Sequence, residues 1–88
     1  MDTTDIEDFG EKVNSREDFE KLVQKLVEEF RESGDQWENA QLSEFLAAIE
    51  RFVSDLDGFY LNRGESIDLE NPTWRVFAHI LLGARVYE

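Results

Sequence analysis

The chain has 88 residues, 41% of them hydrophobic and 12% aromatic, with 21 acidic residues against nine basic ones and a formal charge of −12. That length fits one small domain with a modest core, and the apolar share excludes wholesale disorder. There is no cysteine, which excludes disulfides, thiolate metal sites and thiol nucleophiles, and so acidic a surface repels nucleic-acid phosphates and anionic membranes.

The opening "MDTTDIEDFGEK" has neither the basic leader nor the apolar run of a signal peptide, and no stretch of the chain is apolar enough for a membrane span. A cytoplasmic protein is the expectation. Residues 1–12 hold Asp2, Asp5, Glu7, Asp8 and Glu11, with only Ile6 and Phe9 to bury. This pattern predicts a flexible acidic leader outside a single helical domain at 13–88.

A first helix is predicted over Arg16–Ser33. Ser15 and Asp18 have the spacing of a capping box, and Phe19, Leu22, Val23, Leu26, Val27 and Phe30 recur on one face. Gly34, free to take a positive φ, is the expected stop. A second helix is predicted over Leu42–Asp57, capped by Asn39 or Gln41, with Leu42, Phe45, Leu46, Ile49, Phe52, Val53 and Leu56 as its apolar stripe. Gly58 reads as its left-handed C-terminal cap. Asp55 and Asp57 would then crowd the negative end of the helix dipole, and Arg63 is the expected compensating charge.

The third helix is predicted over Pro72–Val86, with Asn71 as cap and Pro72 in the first turn. Apolar residues lie almost all round it, which predicts a central helix with Trp74, Phe77 and Leu81 at its heart. Arg75 and His79 share the narrow polar gap, continued by Leu82 and Val86. Either the leader or the loop covers that lower turn, or it is a contact surface. "SIDL" is compatible with a short extended piece. The predicted fold is therefore all-α, a compact three-helix domain with an irregular loop between helices two and three.

Few constellations carry chemistry. Asp55, Asp57, Asn62, Glu65 and Asp68 are hard oxygen donors suited to calcium, but their spacing does not match an EF-hand loop. His79 is the sole histidine, flanked by apolar residues, and no serine has a recognisable base beside it. The five glycines are scattered and form no phosphate loop. No catalytic, cofactor-binding or metal-ligating residue is predicted, and no cofactor. Recognition remains: Trp37, Tyr60 and Arg63 are residue types enriched at interface hot spots and lie in predicted connections. With Arg75 and His79 they are the candidate partner-binding residues. The plainer alternative for Trp37 is that it closes one end of the bundle.

Three stretches, "QWENAQLSEFL", "DLDGFYLNRGE" and "NPTWRVFAHILLGARVYE", resemble a family of small bacterial proteins classed as a domain of unknown function. Its pattern runs W-E-N, L-x-x-F-L, D-G-aromatic, N-x-G-E, N-P-[ST]-W and A-R-x-Y-E, and covers roughly residues 14–88. Gln41 stands where that pattern leads one to expect a capping threonine. The resemblance implies a unified domain and no particular activity. A fainter likeness, in acidity and size, is to barstar-type ribonuclease inhibitors, although the strands of their sheet are not apparent here. The sequence thus points to a non-catalytic protein-interaction module. An immunity or inhibitor protein against a basic toxin or nuclease is the alternative, and a metal-responsive regulator or small enzyme a second. The expected partner is a protein with a basic surface, not nucleic acid or a membrane.

Overall fold

The computed structural model describes residues 3–87, and among them the chain is all-helical. Five α-helices run in the order α1 (Thr3–Glu11), α2 (Arg16–Ser33), α3 (Leu42–Ser54), α4 (Leu56–Asn62) and α5 (Trp74–Ala84), with one 3-10 turn at Gly34–Gln36. The predicted count of three is therefore corrected to five. Residues 66–69 form no strand; Ile67 and Leu69 pack from the loop onto one half of the core.

The expected flexible leader is also corrected. Thr3–Glu11 is a helix, and Ile6 on it is only 2% exposed. Two apolar side chains suffice because Gly10 lies against Leu82 so closely that a Cβ there would collide with it. Bare backbone lets α1 sit down on α5, and Ile6 joins Val13, Leu22, Leu26, Ala78 and Leu82 in a continuous cluster. Burying one such isoleucine contributes about 1.5–3 kcal/mol.

The N-terminus of α2 is capped as predicted, Ser15 Oγ accepting from the backbone N–H of Asp18 at 3.1 Å. Its exit is not. Gly34 has φ −62 and carries the chain straight into the 3-10 turn. A Cβ at Gly34 would run into the Phe30 ring, so glycine serves close approach here and not a left-handed cap.

The second predicted helix breaks at Asp55, and α4 follows at once. Gly58 lies inside α4, and the one described glycine with positive φ is Gly64, at 73°. This changes the electrostatics. Asp57 falls in the first turn of a helix, where the dipole favours a carboxylate. Asp55 accepts a hydrogen bond from the Tyr87 hydroxyl. The predicted charge penalty does not arise, and Arg63 is engaged elsewhere.

Thr73, not Asn71, caps α5, its hydroxyl accepting from the Val76 N–H at 3.4 Å. Asn71 instead donates to Asp68. As predicted, α5 is central and touches α1, α2 and α3. Its buried residues, however, are Val76, Ala78, His79, Leu82 and Ala84, whereas Trp74 and Phe77 are 37% and 39% exposed and Leu81 is half-buried. Small residues decide this. A Cβ at Gly83 would lie 2.9 Å from the Phe52 ring, so the small-residue face draws α3 in, while Trp74 and Phe77 pack against Phe19 at the periphery.

Candidate functional site

Four of the five candidate residues converge. Tyr60 comes from α4, Arg63 from the turn after it, and Arg75 and His79 from adjacent turns of α5. Positive φ at Gly64 reverses the chain so that Arg63 and Glu65 face one another, with Arg63 Nε 3.1 Å from Glu65 Oε2. Arg75 pairs with the other oxygen of Glu65. The carboxylate of Glu11, at the end of α1, completes the cluster. It receives Arg63 Nη2 at 2.8 Å and lies 3.4 Å from Arg75 Nη1.

His79, 5% exposed, lies beneath. Its Nε2 is 2.8 Å from Glu11 Oε2 and its Nδ1 2.7 Å from the Tyr60 hydroxyl. An ionised carboxylate can only accept, so Nε2 carries the proton; Nδ1 of the neutral ring then accepts from Tyr60. Burial pushes the His79 pKa below its usual value, against the pull of Glu11. Arg63, then His79, hold the Glu11 carboxyl at about 2 despite some burial. Burial also raises the Tyr60 phenol. The hydroxyl–imidazole–carboxylate order has the look of a relay, but Tyr60 is 2% exposed and presents no hydroxyl to a substrate. What the cluster does is fasten α1 and the loop onto α5.

A second fastening lies at the other end of α5. Arg85, 5% exposed, donates through Nε to the Leu82 carbonyl at 2.9 Å and through Nη1 to Glu29 at 2.6 Å, with Glu7 of α1 at 3.5 Å. Asn39 donates to the carbonyls of Ala84 and Tyr87 at 2.9 and 2.8 Å. Between the two fastenings runs a groove of about 630 Å³ lined by Phe52, Phe59, Leu82, Arg63 and Arg85 among others. Both guanidiniums are already spent on carboxylates. Three of the loop's oxygen donors are likewise engaged: Glu65 by two arginines, Asp68 by the Glu70 N–H and Asn71, and Asp55 by Tyr87. Among the described residues no group of three or more acids and histidine is placed to hold a metal ion.

Trp37, the fifth candidate, stands apart from this cluster. Its indole N–H donates to Glu29 at 2.8 Å, and its ring stacks on Phe45 at 5.8 Å and meets Phe30 edge-on at 5.0 Å. With Ala40 and Leu42 these rings line an apolar notch of about 420 Å³. From the notch an apolar stripe continues along α3. Leu42, Leu46 and Val53 are 72%, 55% and 47% exposed, with half-buried Ile49 between them. Positions 42, 46, 49 and 53 fall on one line of the helix, about 16 Å long at 1.5 Å per residue. α3 buries Ala48 and Phe52 instead.

Sequence reasoning missed Glu11 and Arg85 as organising residues, because their partners are remote along the chain; it counted Glu65 only as an oxygen donor, although its partners Arg63 and Arg75 are near in sequence. It read the α3 stripe as core.

Fold and surface together define a small all-helical domain, pinned by buried arginine and histidine contacts and bearing an uncovered apolar helix face. The chain belongs to a family of unknown function, DUF7660, whose model matches residues 15–88. No curated protein and no solved structure matches it.

Proposed function

We propose that the protein is a non-catalytic protein-interaction module in a cytoplasmic setting, and that the outer face of α3 is its binding surface. The observation that supports this is the exposed line Leu42, Leu46 and Val53 running into the Trp37 notch. Contiguous apolar surface on a small acidic chain costs solubility, and interaction sites are where such patches are retained. Trp37 keeps its candidate role as the aromatic wall of the notch. Tyr60, Arg63, Arg75 and His79 take a different one, holding α1, α4 and α5 in register behind that face. The inhibitor reading is a special case, favoured by the charge of −12, in which the bound protein is a basic toxin or nuclease.

A photo-crosslinking amino acid at position 46 tests the proposal in cells. It is expected to give a discrete adduct with one protein, which then binds the purified chain and loses that binding on Val53→Asp. The same group at Glu20, exposed on α2, is expected to give none. Equal labelling from both positions, or none from position 46, contradicts it.

A further inference from the structure

Resting on that reading of α3, we propose that the partner presents an amphipathic helix, apolar on one side and flanked by lysine or arginine. Shape supplies the first argument. The stripe is straight and about 16 Å long, and α3 is helical throughout, its backbone groups bonded internally. It therefore offers no free edge to an added strand, and an extended peptide would gain only side-chain contacts. A helix laid along it meets Leu42, Leu46 and Val53 with residues one turn apart and drops one larger side chain into the notch beside Trp37.

Charge supplies the second. Asp35 and Glu38 flank the notch in sequence, Glu50 borders the stripe on α3 next to Ile49, and all three are exposed. A second copy of the chain as occupant would bring two charges of −12 together, and an acidic helix would meet the same repulsion. A basic helix is steered in by the same field.

The test is an amide-resolved NMR titration of the full chain with a synthetic helix of about four turns, leucine on one face and lysine on the other. Shifts are expected along Phe30, Trp37, Leu42, Leu46 and Val53, and affinity is expected to fall as salt screens the charges. Leu46→Glu is the decisive variant: it makes the chain more acidic, yet it should weaken binding at least about tenfold. Equal binding of a scrambled peptide of the same composition would show attraction by charge alone and overturn the proposal. So would equal binding of a peptide with glutamate for lysine, or the same shifts arising from self-association of the chain without peptide. An adduct at position 46 with a protein that has no basic helix would reject this partner class while leaving the α3 surface standing.

Discussion

Glu11 and His79 make the stability of this protein depend on pH through two separable groups. His79 is held below its ordinary pKa of 6.5, so the unfolded chain binds its proton more readily. Its contribution is complete above about pH 6.5 and is lost as the pH falls through the lower folded value. Glu11 is lowered from 4.5 to about 2, so its contribution is complete above about pH 4.5 and is lost as the pH falls toward 2. Between pH 7 and 5 the thermal midpoint of His79→Gln is expected to vary less than that of the wild type. The gap between wild type and Glu11→Gln is expected to close only below about pH 4.5. Arg63 belongs to the same cluster, and a double-mutant cycle reports its partner directly. Coupling of Arg63 to Glu11 is expected at about 0.5–1 kcal/mol, since both are partly exposed. Coupling of Arg63 to Asp55 is expected to be indistinguishable from zero. The sequence points to Tyr60 and Arg63 by residue type and their place in a predicted connection, and to Arg75 and His79 by the polar gap they share on the last helix. Glu11, the acceptor that Arg63, Arg75 and His79 share, lies 68 positions before His79, and no local pattern links the two.

The helices themselves were largely legible. α2 was placed to the residue because its start carries a local signal, Ser15 with Asp18, and its length a strong period. α4 was not, since Gly58 reads equally as a stop and as an exposed helical position. The two glycines give opposite expectations. Gly58→Ala meets nothing within 4 Å in a helix and is expected to stabilise by about 0.4–1 kcal/mol. Gly64→Ala, at φ 73, is expected to destabilise by at least about 1 kcal/mol and to disturb the Arg63–Glu65 pair. Denaturant midpoints of the two variants settle both. α1 was misread because its hold on the fold comes from Gly10 against Leu82 and from distant arginines, neither of which is visible in hydropathy. Ile6→Ala is expected to cost about 2–5 kcal/mol, and each kilocalorie lowers the midpoint of a domain this size by about 4–8 °C. An unchanged midpoint would return residues 3–11 to the status of a leader.

At the scale of the whole molecule, two populations of apolar residues lie side by side on one amphipathic segment. Phe52 and Ala48 hold α3 to α5; Leu42, Leu46 and Val53 face outward. Hydropathy cannot separate them, because a core stripe and a binding stripe have the same period, and only the position of α5 shows which residues are covered. No helix among the described residues is long and apolar enough to cross a membrane. On the proposal for α3, the outer population serves recognition and not folding. The direct measurement is the thermal midpoint of the triple variant Leu42→Gln, Leu46→Gln, Val53→Gln in dilute solution, where glutamine keeps helix propensity. The expected midpoint lies within about 10 °C of the wild type, since surface substitutions each fall within about 0.5 kcal/mol. A loss of tens of degrees, on the order of what core truncations cost, would show that these residues carry the fold and would contradict the proposal.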